Sequence, residues 1–328
     1  MPMNNIFITG GAGYVGSCLS DYLVEKNYNV TVYDLFLYGE NVFDHKKDLR
    51  LIKGDIRDTS LLRKSIKNQD IVIHLACISN DPSFELNPNL GKSINLDSFE
   101  PLVKISKEEN IKRFIYASSS SVYGIKDIKN VHEEISLEPI TDYSKFKAKC
   151  EKILNNYNDK NFSGVTIRPA TVCGYSKRQR LDVIVNILTN VGFHKKEISV
   201  FGGDQLRPNI HIKDMVRAYE KLIQADDKLV NGQIFNAGWE NRSVYEIAQT
   251  VKKELGEDIS LVVTPTNDNR SYHISSGKIK KILNFQTKFT ISDAVKDLKK
   301  AFESNLLNDP LNNSDYFNIK KMQSVNLK

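Results

Sequence analysis

At residues 4–16 the sequence reads Asn-Asn-Ile-Phe-Ile-Thr-Gly-Gly-Ala-Gly-Tyr-Val-Gly. Its β-branched and aromatic run, residues 6–9, is typical of a strand, and a helical pattern follows the last glycine. Gly10 permits a tight turn, Gly13 allows backbone N–H groups to approach a pyrophosphate, and Gly16 lets the helix lie close to the strand. The stretch therefore predicts a strand, a turn and a helix whose positive N-terminus faces a dinucleotide.

An acidic residue ends the second predicted strand, Val-Thr-Val-Tyr-Asp at residues 30–34. The glycine pattern G-x-x-G-x-x-G is weak evidence by itself, because glycines also gather in ordinary turns. Asp34, 18 residues after Gly16, has close to the spacing of a carboxylate that accepts hydrogen bonds from an adenosine ribose. A carboxylate there would repel a 2′-phosphate, so the predicted cofactor is NAD rather than NADP.

The composition is that of an ordinary globular enzyme with a sizeable core. The chain has 328 residues, of which 40% are hydrophobic and 26% charged. No run approaches the ~18 apolar residues that a membrane helix needs. The sequence also enters a strand too early for a signal peptide. We therefore expect a cytoplasmic protein that does not contact a membrane.

The charged and metal-binding residue types narrow the function further. The net charge of +6 comes mostly from dispersed lysines, with no basic run interleaved with aromatic residues. This distribution argues against nucleic-acid binding and suits a small anionic substrate. The four cysteines and six histidines show no metal-ligand spacing, so we expect free thiols and no metal site.

The order of predicted elements indicates the fold class. Strands alternate with helices through the first half of the chain, which predicts an α/β, Rossmann-type doubly wound parallel sheet. The predicted NAD-binding domain, residues 1–175, includes a long helix at about 90–110. A looser alternation over 176–303, with a strand at 233–237, predicts a smaller C-terminal α/β lobe that binds substrate. Residues 304–328 are polar and rich in asparagine, and predict a surface tail.

Asp55 follows the third predicted strand, and two roles are open to it. Its carboxylate is a suitable acceptor for the adenine amino group. It is equally a suitable cap for the helix predicted at about 58–67. The sequence favours the adenine role without excluding the cap.

Two segments carry reactive side chains. Four consecutive serines, residues 118–121, follow the fifth predicted strand, at the sheet edge where ligands bind. Tyr143 and Lys147 stand four residues apart and hence share one face of a predicted helix. Tyrosine, with a pKa near ~10, is a poor base, but a nearby ammonium and the positive nicotinamide ring favour its phenolate and lower that pKa. With the upstream glycines, this pair predicts a catalytic base rather than an ordinary exposed pair.

The chain resembles the extended short-chain dehydrogenase/reductases in four places. These are the glycine motif, Ser-Ser-Ser-Ser-Val-Tyr-Gly at residues 118–124, Tyr143-x-x-x-Lys147, and Arg168-Pro169. Within that group it is similar to the NAD-dependent nucleotide-sugar epimerase/dehydratase family, over roughly residues 1–300.

This resemblance implies a role for each matched residue. Tyr143 would be the base, Lys147 its modulator and Ser119 the hydroxyl that hydrogen-bonds the reacting sugar oxygen, with Ser121 as a helper. The NAD site would be lined by Gly10, Gly13, Tyr14, Val15, Gly16, Asp34, Asp55, Ile56, Leu75, Ala76, Asn95, Tyr143, Lys147 and Pro169. The substrate would be bound by Ser79, Asn80, Ser121, Thr171, Arg180, Asn186, Arg207 and Arg270. The arginines would meet its pyrophosphate with a bidentate geometry that lysine lacks.

Departures from the family pattern narrow the reaction. The 4,6-dehydratases carry Thr-Asp-Glu where this chain has Ser119-Ser120-Ser121, so the acid and base that eliminate water are missing. What remains is oxidation at the sugar C4, in which Tyr143 removes the 4-OH proton as hydride leaves for NAD. We expect a nucleotide-diphosphate-sugar 4-epimerase, in which the 4-keto sugar takes the hydride back on its other face.

Two alternatives stay open, as do the nucleotide base and the sugar. Residues 174–182 and 186–189 resemble those of GDP-heptose 4-dehydrogenases and their epimerase-like relatives, and a 4-dehydrogenase would release the 4-keto sugar. A non-catalytic, NAD-sensing partner protein is the third candidate, disfavoured because both Tyr143 and Lys147 are present.

The family resemblance also carries expectations about assembly and setting. Its members often form homodimers through two helices from each subunit, here about 91–109 and 141–158. Their usual setting is cell-envelope polysaccharide precursor synthesis. The resemblance therefore implies a homodimer that acts in polysaccharide biosynthesis.

Overall fold

The computed structural model describes residues 3–128, 130–266, 271, 273–325 and 327. Its strands, in chain order, are β1 (Asn5–Thr9), β2 (Asn29–Asp34), β3 (Arg50–Lys53), β4 (Ile71–His74), β5 (Arg113–Ala117), β6 (Ser163–Pro169), β7 (Thr171–Cys173), β8 (Glu197–Phe201), β9 (Leu206–His211), β10 (Ile234–Ala237), β11 (Glu240–Ser243) and β12 (Ser260–Thr264). Its α-helices are α1 (Tyr14–Glu25), α2 (Thr59–Ser65), α3 (Asp81–Glu85), α4 (Pro88–Lys92), α5 (Phe99–Glu108), α6 (Asp142–Tyr157), α7 (Ile184–Lys195), α8 (Ile212–Gln224), α9 (Asp227–Val230), α10 (Val244–Leu255), α11 (Gly277–Leu283), α12 (Ile291–Glu303) and α13 (Asn318–Ser324). Among these described helices, none is long and apolar enough to span a bilayer.

The main sheet of the described chain has seven parallel strands in the order β10-β6-β5-β4-β1-β2-β3. Successive residues of β1 face opposite sides of it. Ile6 and Ile8 pack in a cluster with residues of α1 and α8, whereas Phe7 packs in a cluster with residues of α2, α5 and α6. All three side chains are fully buried, as expected of a parallel strand covered on both faces. The predicted α/β class and Rossmann-type sheet are confirmed.

The strand order reverses at β1, which has β2 on one side and β4 on the other. At such a switch point the connections after neighbouring strands leave toward opposite faces of the sheet. A crevice therefore opens at the carboxyl ends of these strands, where ligands bind in folds of this kind.

The strand predicted at 233–237 belongs to the main sheet, not to the smaller lobe. β10 runs parallel to β6, with Phe235 opposite Ile167 and both fully buried. A short apolar run indicates a covered strand, but it does not show which sheet that strand joins. Because β10 and α8 both return to the first domain, the division at residue 175 stays a prediction.

The smaller lobe contains a three-stranded sheet, β11-β9-β7, and a parallel pair, β12-β8. Helices α7, α10 and α12 pack together beside them. Their shared core consists of buried aliphatic side chains such as Val185, Val251 and Val295.

The helix predicted at about 90–110 is interrupted. A π-helical turn, Ser93–Asp97, separates α4 from α5 and contains the buried Asn95. The Asn95 side chain accepts a hydrogen bond from the N–H of Ile78 (2.8 Å) and donates one to the Ile78 carbonyl (2.9 Å). These bonds fix the π turn to the loop after β4, and apolar periodicity does not reveal such a tie.

Part of the polar C-terminal segment is buried, so the prediction of a surface tail is wrong there. Helix α13 lies against the first domain, where Asn318 is only 5% exposed. Met322 and Leu327 pack against the core cluster that contains Phe84. So few apolar residues make these contacts that the composition of the segment hides them.

Candidate active site

A cavity of about 280 Å³ opens at the carboxyl ends of the main-sheet strands. Residues at or just after the ends of β1, β2, β4 and β5 line it, among them Gly10, Asp34, Leu75 and Ala117. Helix α6 and the C-terminal segment complete the wall. The cavity therefore occupies the crevice that the strand order creates.

The glycine turn forms one corner of this cavity. Gly10 has a φ of +73°, in the region that favours glycine, and a Cβ on it would lie 2.5 Å from the nitrogen of Ala76. A Cβ on Gly16 would lie 2.3 Å from the Gly10 carbonyl oxygen, so only glycine lets α1 start this close. Around Gly13, the N-cap of α1, that carbonyl is the one group among the described residues within 4 Å of its Cβ position. The open side of Gly13 and the N–H groups at the start of α1 fit a diphosphate.

Asp34 lines the cavity at the end of β2. Its carboxylate accepts hydrogen bonds from the N–H groups of Ala12 (3.0 Å) and Phe36 (2.8 Å). Burial raises the pKa of this carboxyl, and the backbone hydrogen bonds partly offset that effect. Asp34 thus fixes the glycine turn while facing the place of a ribose, and the corner as a whole fits NAD.

Asp55 also lines the cavity, and the alternative role as a helix cap is wrong. Asp58 caps α2 instead, accepting a hydrogen bond from the Leu61 N–H at 2.9 Å. Asp55 pairs with the Arg57 guanidinium at 2.6 Å, which lowers the pKa of its carboxyl. Its contact with adenine stays a prediction.

The structure brings Tyr143, Lys147 and Ser119 together. The Ser119 side chain lies close enough to the Tyr143 hydroxyl to lower the pKa of that hydroxyl. The Lys147 Nζ lies 5.8 Å from the centre of the Tyr143 ring and donates to the Ala117 carbonyl at 2.7 Å. The Ser121 hydroxyl lies 2.9 Å from that of Ser119, and neither of these two serines is among the residues that line the cavity. The three groups have the arrangement of an acid–base centre.

The pKa of Tyr143 is raised in the protein alone, contrary to the expected lowering. Burial of the hydroxyl is the main cause, and the neighbouring Cys77 and Asp81 add to it. Arg180 and the hydrogen bond with Ser119 act in the opposite direction. Desolvation outweighs these positive and polar groups, so the charge of an oxidised nicotinamide ring is the further contribution that would favour phenolate.

Helix α6 is anchored on both sides of Tyr143 and Lys147. At its start, the Thr141 side chain accepts from the Ser144 N–H (3.3 Å) and the Ser144 hydroxyl accepts from the Thr141 N–H (3.1 Å). Further along, Glu151 accepts hydrogen bonds from the Arg168 guanidinium at 2.9 and 2.6 Å and from the Ser118 hydroxyl. This buried network ties α6 to β6 and to the serine segment, so the reactive groups keep their relative positions.

Most predicted cofactor residues line the cavity, as do two of the predicted substrate residues. The cofactor set comprises Gly10, Gly13, Tyr14, Val15, Gly16, Asp34, Asp55, Ile56, Leu75, Ala76, Tyr143, Lys147 and Pro169, and the substrate pair is Ser79 and Arg180. Asn95 is not among the lining residues, because its amide is bonded to Ile78. In the part of the chain that the structure describes, no group of three or more His, Cys, Asp or Glu side chains could hold a metal ion.

Other predicted substrate residues lie away from the cavity lining. Asn80 caps α3 by accepting a hydrogen bond from the Ser83 N–H at 3.0 Å. Thr171 lies on β7, two residues after the cavity residue Pro169, and is not in the cavity wall. Arg270 lies outside the described residues.

Asn186 does not line the cavity, and its side chain instead connects parts of the fold. It is fully buried at the start of α7 and accepts a hydrogen bond from the Gly174 N–H at 3.0 Å. Its amide donates to the Tyr14 hydroxyl (3.0 Å) and to the Arg180 carbonyl (2.8 Å). An amide that looks ready for a ligand in the sequence is here used to join α7, α1 and the loop between β7 and α7.

Arg207 lies at a second cavity, of about 360 Å³, in the smaller lobe. Its walls are mostly aliphatic and come from α7, β8 and α10, with Ile184, Ile187 and Val244 among them. Phe201, also in the wall, is 63% exposed. An apolar cavity with an exposed aromatic ring and an arginine is suited to a flat base beside a phosphate.

Three lining residues outside the predicted set form a cluster: Tyr38, Arg178 and Asn318. The guanidinium carbon of Arg178 lies 3.6 Å from the centre of the Tyr38 ring, and both side chains donate to Asn318 Oδ1, at 2.7 and 3.2 Å. Arg178 stands two positions before the predicted Arg180, which is a signal that the sequence did contain. Nothing in the sequence pattern connects the other two.

A family model described as the NAD dependent epimerase/dehydratase family matches residues 6–238. The chain is 27% identical over 316 residues to a UDP-glucose 4-epimerase of Lactobacillus helveticus, covering 88% of this chain and 94% of that protein.

Two solved structures are similar in fold. One is a UDP-glucose 4-epimerase of Thermotoga maritima with UDP-glucose (TM-score 0.82, 24% identity, 92% of this chain and 100% of that chain). The other is a dTDP-glucose 4,6-dehydratase of Bacillus anthracis in complex with NAD (TM-score 0.79, 21% identity, 92% of this chain and 97% of that chain). Because these two proteins differ in activity, the shared fold does not choose between the reactions.

Proposed function

The chain belongs to the NAD dependent epimerase/dehydratase family, and from this premise we propose that it is a nucleotide-diphosphate-sugar 4-epimerase. The predicted family and its NAD cofactor are thereby confirmed. The observation that carries the proposal is that Tyr143 and Lys147 lie side by side on α6 and both line a cavity that fits NAD, with Ser119 next to Tyr143. The similarity to a UDP-glucose 4-epimerase along most of both chains supports this choice.

The side chains divide the chemistry at the sugar C4 between them. NAD bound at the glycine corner supplies a hydride acceptor. Tyr143 as phenolate would take the proton of the 4-OH, and Ser119, which lies next to the Tyr143 hydroxyl, would hydrogen-bond the same sugar oxygen. Lys147 has three donors, of which one meets the Ala117 carbonyl, and we assign the ammonium to the nicotinamide ribose.

Epimerisation needs no further acid or base. When the 4-keto sugar presents its other face, Tyr143 returns the proton as the hydride returns to C4. Elimination of water would need a carboxyl group at the serine segment, where instead Ser119 and Ser121 bond each other and Ser120 is buried. The hydroxyls of this segment therefore support oxidation and reduction at C4 rather than dehydration.

We assign the second cavity to the nucleotide end of the substrate. Helix α7 connects the two cavities, because its Ile184 and Ile187 line the second one. Its Asn186 is bonded to the carbonyl of Arg180, a residue that lines the first. A nucleotide sugar could thus place its base against the smaller lobe and its sugar near Tyr143.

Incubation with UDP-sugars and GDP-sugars tests the proposal. We expect isomerised sugar with no net change in NADH absorbance, because the hydride is returned in each cycle. Accumulation of NADH with release of a 4-keto sugar would instead identify the 4-dehydrogenase that residues 174–182 resemble. Absence of turnover with every sugar, while NAD still binds, would contradict both and leave an NAD-sensing partner protein.

The assembly and setting are part of the same proposal. We propose a homodimer formed through α5 and α6, as in many members of the family, and a cytoplasmic role in making polysaccharide precursors. The solvent-facing positions of these helices carry charged side chains, such as Lys104, Glu108, Lys149 and Lys152. The interface would therefore rest on charge complementarity as well as on apolar contacts.

A further inference from the structure

Among the described residues, Arg178 is a buried cation with no acid at ion-pair distance, and only Asp182 and Asp34 act on its charge from farther away. It lies in the loop between β7 and α7 and is only 5% exposed. Its guanidinium donates to the Gln179 carbonyl (3.3 Å) and to Asn318 Oδ1 (2.7 Å), whereas its Nε has no hydrogen-bond partner among the described residues. The acid nearest in sequence, Asp182, pairs with Arg180 at 2.6 Å.

Such a group is costly to keep in a folded chain. A buried charge is destabilising unless it is paired and hydrogen-bonded. Burial accordingly lowers the pKa of Arg178. Because this guanidinium lines the main cavity, an anionic ligand can supply the missing partner.

The hydrogen bonds of the loop that carries Arg178 indicate which part of the cavity this residue lies near. Two residues earlier, the Ser176 hydroxyl donates to the Tyr14 carbonyl (3.0 Å) and lies 3.0 Å from the Ser17 hydroxyl. The Tyr14 hydroxyl in turn donates to the Gly174 carbonyl at 2.7 Å. The loop is therefore fixed to the first turn of α1, the helix end that faces a diphosphate.

Neutral neighbours orient the guanidinium without cancelling its charge. It stacks on Tyr38, 3.6 Å from the ring centre. Asn318 is held in turn, since its amide donates to the Ser79 hydroxyl at 2.8 Å and its N–H to Asp182 at 2.9 Å. An amide oxygen at this place leaves the positive charge for a ligand, which a carboxylate would not.

We propose that Arg178, oriented by Tyr38 and Asn318, binds a diphosphate group in the main cavity. The inference rests on the NAD-binding part of the proposed function and not on the sugar or on chemistry at C4. Both NAD and a nucleotide sugar carry a diphosphate. The attachment of the loop to α1 favours that of the cofactor.

Substitution of Arg178 by methionine tests the proposal, because methionine keeps the length of the side chain and removes every donor. Titrations followed by NADH fluorescence, and calorimetry with ADP-ribose, UDP and GDP, measure binding without turnover. We expect the dissociation constants of NADH and ADP-ribose to rise roughly 10- to 100-fold, as for loss of a hydrogen bond from a charged group, with UDP and GDP unchanged. Arg63→Met, which removes a surface guanidinium, is the matched control.

A second variant, Asn318→Asp, keeps the shape of the side chain and supplies the missing acid. It should weaken binding of the same diphosphate and raise the melting temperature of the ligand-free protein, because Arg178 is then paired internally. Weaker binding of UDP or GDP alone would assign the guanidinium to the diphosphate of the substrate. Unchanged affinity for all four ligands in both variants would overturn the proposal. Failure to isomerise a sugar would contradict the 4-epimerase but leave these affinities as they are.

Discussion

At Tyr143, two electrostatic effects compete over one hydroxyl group. Burial holds the proton on the phenol, since its pKa is raised, while Arg180 and the hydrogen bond with Ser119 favour its loss. The chemistry at C4 needs this proton to move in both directions, so the hydroxyl is required for turnover but not for holding the cofactor.

Replacing Tyr143 by phenylalanine should therefore leave NADH affinity within about threefold of the parent protein. Turnover should fall by roughly 10²- to 10⁴-fold, the usual contribution of a general acid–base group. Tyr157→Phe is a matched control, because its hydroxyl lies at the other end of α6 and bonds only Glu100 among the described residues. Full activity in Tyr143→Phe would refute the assignment of the base.

Strands β1 and β4 are joined by a hydrogen bond between two side chains, one of which is a histidine that can take up a proton. The His74 Nδ1 lies 2.7 Å from the Thr9 hydroxyl, and the ring is enclosed by Phe99 and Tyr116. Burial, with a smaller effect of the Lys147 charge, lowers the pKa of His74 to about 3. In the unfolded chain His74 has an ordinary pKa near ~6.5. Between that pH and about 3, the unfolded chain therefore binds a proton at His74 that the folded chain does not bind.

The free energy of unfolding should consequently fall as the pH drops from about 6.5 toward 3. His74 should account for up to about 1.4 kcal/mol of this fall per pH unit, and it should have no effect on stability above pH ~6.5. Urea unfolding at several pH values measures the slope. His74→Asn, which keeps a polar atom near Thr9, should flatten the slope, whereas His45→Asn, at a half-buried histidine near the surface, should not. Equal slopes in the parent protein and His74→Asn would show that His74 is not the titrating group.

The proposed dimer of the whole molecule depends on the charged outer faces of α5 and α6. Salt of about 1 M shortens the Debye length from ~8 to ~3 Å, so we expect association to weaken between physiological and high salt. Sedimentation velocity measures this directly. Lys149→Glu with Lys152→Glu on α6 should shift the protein toward monomer, and Lys253→Glu, exposed on α10, should not. A sedimentation coefficient that is the same in all these cases would contradict this interface.

Much of the site could be predicted because its parts are local in the sequence. Gly10, Gly13 and Gly16 lie within one turn, and Tyr143 and Lys147 lie within one helical repeat. The side chains that the prediction misplaced, such as Asn95 and Asn186, carry amides whose partners are set by distant loops. A polar residue type does not show whether its hydrogen bonds go to a ligand or to the chain.

Local sequence patterns were enough to predict the strand, turn and helix that fit a dinucleotide, the NAD preference assigned to Asp34, and the proposed acid–base pair. Each of these depends on spacing over a few residues or on one strand following the next in the chain. Only the tertiary structure placed β10 in the main sheet and α13 against the cofactor cavity. It alone brought Tyr38, Arg178 and Asn318 to one point. Those contacts join segments that are far apart in the sequence. They form only when the folded chain packs these segments against each other and pairs their buried polar groups.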